Sequence, residues 1–146
     1  MPNFTWALQQ ATGVYIALCD GDDYWNDPLK IQKQVDFLEK NEDYVLVFHK
    51  IKILRSDSGD LVEDFITKVP EKHENLIDII SGGNYIHTPS VIFRNVVQEY
   101  SFELKYSTIG DYFLYIILGI MVNINNLIHR WQYIDLGQEP SHRLIE

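Results

Sequence analysis

The sequence predicts an open α/β sheet with flanking helices. Three observations carry that expectation: a short apolar run, Val14 to Cys19, bounded by Gly13 and a cluster of aspartates; an amphipathic helix pattern directly after it; and further strand-like runs alternating with helical ones. In open α/β sheets, ligands bind outside the carboxyl ends of the strands. Asp20, Asp22 and Asp23 stand at such an end.

The elements follow in order. Asn3 is placed to cap a first helix with Trp6, Ala7, Gln10 and Ala11 at helical spacing, and Gly13 is placed to end it. The Val14 to Cys19 run reads as a strand buried on both faces of a parallel sheet. Asp27-Pro28 reads as an N-cap with proline at the first helical position, and Ile31, Val35 and Leu38 recur at i, i+4 and i+7 through to Lys40. Tyr44 to His49 is the next strand. Ile51 to Leu54, the turn Ser56-Asp57-Ser58-Gly59-Asp60 and the resumption at Leu61 suggest a hairpin or an exposed excursion. Glu74 to Ser81 reads as a helix with Leu76, Ile77 and Ile80 on one side and Gly82-Gly83 as its stop. Ser90 to Phe93 reads as a strand, Tyr112 onward as an apolar helix, and Leu127 to Ile134 as a last strand.

At 146 residues, with 46% hydrophobic and 23% charged content, residues 1–146 are expected to form a single domain with its own core. The net charge of -9, from 12 Lys plus Arg against 21 Asp plus Glu, argues against a nucleic-acid partner, which requires a basic face. Cys19 is the only cysteine, so neither an intramolecular disulfide nor a thiolate cluster can form. The apolar stretch Tyr112 to Val122 is about half of the roughly 20 residues a membrane span needs, and no signal peptide is visible.

Crowded carboxylates repel one another and are relieved by a divalent cation; hard oxygen donors suit Mg²⁺ or Mn²⁺, with water and substrate phosphates completing the shell. The bland alternative is a solvated turn, since Asp-Gly is common turn chemistry. A calcium EF-hand loop fails on the letters, because Tyr24 and Trp25 fall where an oxygen ligand and glycine are required. A haloacid-dehalogenase-like phosphatase expects Gly-Thr or a similar pair after its two aspartates, where Asp23-Tyr24 stands.

The stretch Asn3 to Leu38, with Ala7-Leu8, Ala11, Gly13, Tyr15-Ile16, Asp20-Gly21-Asp22-Asp23, Tyr24-Trp25, Pro28-Leu29-Lys30, Gln34 and Phe37-Leu38, closely resembles the middle of bacterial family 2 glycosyltransferases. The segments His87-Thr88-Pro89-Ser90-Val91-Ile92-Phe93-Arg94 and Gly110-Asp111-Tyr112 extend the likeness. The resemblance implies a GT-A-like fold and metal-dependent, inverting sugar transfer from a nucleotide-sugar donor to a saccharide or lipid-linked acceptor. It implies Asp22, Asp20 and Asp23 as holders of Mn²⁺ or Mg²⁺ against the diphosphate, Trp25 as a neighbour of that site, and Asp111 as the catalytic base. Polysaccharide biosynthesis, and cytoplasmic residence with peripheral membrane association, are expectations of the same likeness.

The family's opening strand and the units that grip the nucleotide base have no counterpart ahead of Asn3, so the fold is expected to be N-terminally incomplete, with homo-oligomer formation through an open sheet edge. Relatives often carry Tyr-Arg-x-His near the end. Here Tyr133-Ile134-Asp135-Leu136 departs from it, leaving His142, in a predicted loop, as the candidate replacement. Trp6 is expected in the core or a pocket wall, Arg94 as a solvated charge or one that meets a phosphate or an acidic partner, and His49 and His87 as packed or hydrogen-bonded residues. The competing reading is a non-catalytic binding or assembly module that keeps the fold remnant.

Overall fold

A computed structural model describes residues 2–68, 75–124, 130–133 and 142–145. The elements in chain order are α1 (Pro2–Gln10), β1 (Tyr15–Ala17), β2 (Asp23–Tyr24), α2 (Lys30–Lys40), β3 (Tyr44–Phe48), β4 (Lys52–Arg55), β5 (Leu61–Glu63), α3 (Leu76–Gly82), a 3₁₀ turn (Thr88–Ser90), β6 (Ile92–Arg94), α4 (Phe102–Tyr106), α5 (Gly110–Ile124), β7 (Arg130–Tyr133) and β8 (His142–Ile145).

The main sheet has the order β1-β6-β3-β7. β6 is antiparallel to both β1 and β3, and β7 is parallel to β3, so β1, β3 and β7 share one direction. This corrects the expectation of a parallel sheet around β1: its partner among the described strands is the reversed β6. A second sheet, β2-β8-β4-β5, contains the expected hairpin between β4 and β5, closed by a turn with Gly59 at φ 74°. Residue His142 begins β8, in register with Tyr24 of β2 and Lys52 of β4, and is not in a loop. The sequence-predicted last strand is seen as β7; residues 127–129 and 134–136 lie outside the described residues, as does Glu74.

Strand pleating separates two apolar layers. Ile16, Leu46, Phe48 and Phe93 point to one side, where Leu8 of α1, Ile79 of α3, Leu104 of α4 and Leu114, Tyr115 and Leu118 of α5 close over them. Val47 and Ile92, with Tyr15 and Ala17, face the other side and meet Leu38 and Phe37 of α2. No helix among the described residues is long and apolar enough to cross a membrane.

Several predicted faces are shifted. α1 starts at Pro2 and buries Thr5 and Leu8, while Trp6 is 63% exposed, so Trp6 is not in the core. α3 buries Ile79 and leaves Ile77 and Ile80 outside; its start is fixed by an Asn75/Asp78 capping box. α2 buries Lys30, Gln34 and Leu38, and Ile31 is exposed. The N-cap of α2 is Leu29 and not Asp27, and Pro28 precedes the helix; Asp27 instead holds the preceding turn, accepting from the Leu29 N–H at 2.8 Å and pairing with Lys33 at 2.8 Å. Arg94 is half-buried and engaged by the protein itself. It donates to the carbonyls of Tyr44 (2.9 Å), Leu38 and Asn41 and to the Tyr15 hydroxyl (3.0 Å), fastening the α2 C-terminus to β3 and β1.

Candidate functional site

The acidic stretch is a tight turn at the carboxyl end of β1. The Asp23 N–H donates to Asp20 O at 3.1 Å, and the Cys19 thiol lies 3.6 Å from Asp23 O. Asp20, Gly21 and Asp22 face solvent; both carboxylate oxygens of Asp23, which opens β2, are shielded from it. The turn leaves the side chains of Asp20 and Asp22 exposed. Burial and then the Asp23 charge push the Cys19 thiol up, with Lys30 opposing.

Trp25 anchors this loop. Its indole N–H donates to Pro89 O at 2.9 Å, and Lys30 Nζ sits 4.5 Å from its ring centroid. Lys30 is 1% exposed, and its ammonium has no hydrogen-bond partner among the described residues. Burial lowers its pKa to about 7, partly offset by Cys19. One turn on, the Gln34 side-chain amide donates to Ser90 O at 2.8 Å and Val47 O at 3.2 Å. His49, buried at the end of β3, bonds its own neighbour through the Lys50 carbonyl, and burial lowers its pKa to about 4.

The Thr88–Ser90 turn meets the second candidate. Asp111, in the first turn of α5, accepts at Oδ2 from Asn84 Nδ2 (3.0 Å) and Thr88 Oγ1 (3.5 Å). Four residues on, Tyr115 is fully buried and its hydroxyl has no hydrogen-bond partner among the described residues. Burial, then the charges of Asp111 and Asp20, hold its pKa well above the usual phenol range. A groove of about 710 Å³ between α1 and β1 ends on Cys19, Asp20 and Gly21.

Among the described residues no three His, Cys, Asp or Glu side chains are gathered to hold a metal ion alone. The two outward carboxylates, Asp20 and Asp22, are hard oxygen donors suited to a cation that takes one or two protein carboxylates and completes its shell elsewhere.

A mixed open sheet with flanking helices and an acidic turn at the carboxyl end of β1 defines the class: an α/β domain whose strand ends are where such folds usually place a ligand. The chain belongs to glycosyl transferase family 2, whose sequence pattern matches residues 2–101. The fold is accordingly GT-A-like, and the family supports a glycosyltransferase-like function. The match holds the acidic turn and the 3₁₀ turn and stops short of Asp111. An uncharacterized protein of Mycobacterium bovis and two from Mycobacterium tuberculosis strains are each 36% identical over 92 residues, covering 63% of this chain and 26% of theirs. The aligned stretch thus spans about a quarter of those relatives' length.

The sequence nominates Asp20, Asp22, Asp23, Trp25 and Asp111 but gives no signal for Asn84 or Tyr115 beside them, nor for the burial of Lys30. Thr88 stands in the sequence only as part of a strand-like motif. An asparagine after two glycines, or a tyrosine inside an apolar run, carries no periodic signal of its own.

Proposed function

We propose that the chain carries the diphosphate and base elements of a metal-dependent, inverting sugar transfer from a nucleotide-sugar donor to an acceptor hydroxyl. The observation that supports this most is the hold on Asp111 Oδ2 by Asn84 and by Thr88, the latter on the same turn that Trp25, just after the acidic stretch, ties down through the Pro89 carbonyl. Asn84 and Thr88 both address Oδ2, and no described residue donates to Oδ1. Oδ1 is then the atom that takes the acceptor proton as the hydroxyl oxygen attacks the anomeric carbon, and Oδ2 stays oriented by its two donors.

Asp22, with Asp20, holds Mn²⁺ or Mg²⁺ in this reading. Bound there, the cation supplies electrostatic stabilisation of the departing diphosphate. Asp23, with its oxygens shielded, shapes the turn, and Trp25 fixes the loop to the Pro89 carbonyl. The groove beside Asp20, lined mostly by apolar side chains of α1 and β1, falls in the volume range of small-ligand sites and lies on the donor side.

The acceptor belongs to the saccharide or lipid-linked class, and polysaccharide assembly at the cytoplasmic membrane surface is the setting this reading favours. The test is release of nucleoside diphosphate from UDP- and GDP-sugars by the purified chain with Mn²⁺. Asp111→Asn is expected to lower turnover at least about a hundredfold, the usual scale of a lost general base. Full turnover in that variant would contradict the base assignment.

A further inference from the structure

The 3₁₀ turn that carries Thr88 has a buried support of its own, which sugar transfer does not otherwise use. His87 precedes the turn and is 5% exposed; Asp64, in the strap after β5, is 6% exposed. His87 Nε2 lies 3.2 Å from Asp64 Oδ1. The same carboxylate oxygen accepts the backbone N–H groups of Ile66 (2.8 Å) and Thr67 (3.1 Å), so it is fixed before it meets the ring. On its main-chain side, His87 O accepts from the Ser90 N–H at 3.0 Å and the Ser90 hydroxyl at 2.6 Å.

We propose that Asp64 and His87 are positioning residues for Asp111, an inference that rests on the reading of Asp111 as the base. Their pairing ties the strap after β5, in the second sheet, to the turn before β6, in the first. It sets the turn at the height where the Thr88 hydroxyl reaches Asp111 Oδ2. A carboxylate taken out of water is costly unless it is paired and hydrogen-bonded. Asp64 meets that condition at Oδ1, through this junction, while Oδ2 is buried without a hydrogen-bond partner among the described residues.

The test compares His87→Leu, His87→Gln, Asp64→Asn and Asp111→Asn in the full chain, each checked for folding by circular dichroism. Two magnetic-resonance readouts are followed: exchange of the Ser90 and Val91 amides, which bond His87 O and Thr88 O, and the side-chain amide signal of Asn84, which reports its bond to Asp111. His87→Leu is expected to speed exchange at both amides about tenfold, the scale of one hydrogen bond. It should also move the Asn84 signal toward its position in Asp111→Asn. His87→Gln, which keeps an N–H donor, should restore most of both.

Asp64→Asn is the milder variant should His87→Leu fail to fold, and it is expected to shift both readouts in the same direction. Wild-type exchange and an unmoved Asn84 signal in a folded Asp64→Asn or His87→Leu chain would overturn the proposal. Turnover of UDP-glucose separates the two claims. Loss of kcat at unchanged KM in His87→Leu supports positioning. If Asp111→Asn keeps turnover while the Asn84 signal still moves in His87→Leu, the base reading fails and the coupling stands.

Discussion

Trp25 and Pro89, 64 positions apart in the chain, are joined by an indole N–H donating to a carbonyl at 2.9 Å. That bond connects the loop after the acidic turn with the turn that presents Thr88 to Asp111. The two halves of the candidate site therefore share one piece of backbone. Gln34 adds a second tie to the same turn through Ser90 O, and Leu18 N–H a third through Val91 O at 3.2 Å.

Trp25→Phe removes the bond to Pro89 and keeps the ring under Lys30. It should cost about 1 kcal/mol of stability, the usual net worth of one such bond. Trp25→Ala removes the ring as well and should cost about 3 kcal/mol or more. Urea denaturation distinguishes the two, with equal losses contradicting a specific role for the indole N–H.

Gln34→Leu leaves the carbonyls of Val47 and Ser90 without their buried donor. An unsatisfied buried group costs about 1–3 kcal/mol, so the midpoint of thermal unfolding should fall by several degrees. A neutral outcome would mean that water or a neighbour supplies both carbonyls.

Arg94→Ala should be the most damaging of the substitutions outside the candidate site. It strips donors from the carbonyls of Leu38, Asn41 and Tyr44 and from the Tyr15 hydroxyl, and removes a guanidinium from the negative end of α2. A loss of about 3 kcal/mol is expected. Arg94→Lys recovers only part of it, because one ammonium cannot span the same set of acceptors.

Lys30 gives stability a pH dependence with a defined sign. Its folded pKa, near 7, lies below the value of about 10.4 in an unfolded chain. Between these values the unfolded state binds more protons, so this residue's contribution rises with pH across that window, and the burial penalty is fully present below it. Lys30→Met should therefore gain relative stability at pH 6 and lose that advantage toward pH 10. Parallel unfolding curves from pH 6 to 10 would contradict it. Asp64 acts at the acid end: burial raises its pKa, but the bonds from His87, Thr67 and Ile66 outweigh that and hold it well below the carboxylate range. Its contribution is present above the unfolded value of about 3.9 and is lost as pH falls through the folded one.

The acidic turn, the α2 helix, the hairpin at Gly59 and the start of α5 were all legible in the letters, because each has a local signature of caps, turn residues or periodicity. The direction of β6 was not. An apolar run reads the same in either direction, and only tertiary pairing with β1 and β3 decides it. The buried stripe of α2 was misjudged by one residue for a related reason. Periodicity nominates Ile31, but Lys30 lies over the Trp25 ring, which Pro89 holds in place, and Gln34 meets the Val47 and Ser90 carbonyls from segments distant in sequence. Asn84 and Thr88 meet Asp111 across 27 and 23 positions, a proximity that no local pattern encodes.

A diphosphate site at the acidic turn is tested by calorimetric titration of UDP and GDP into the purified chain, with and without Mn²⁺. Binding that requires Mn²⁺ and disappears in Asp22→Asn is the predicted result. A folded chain that binds neither nucleotide in the presence of Mn²⁺, or an Asp22→Asn variant that binds as well as the parent, would contradict it.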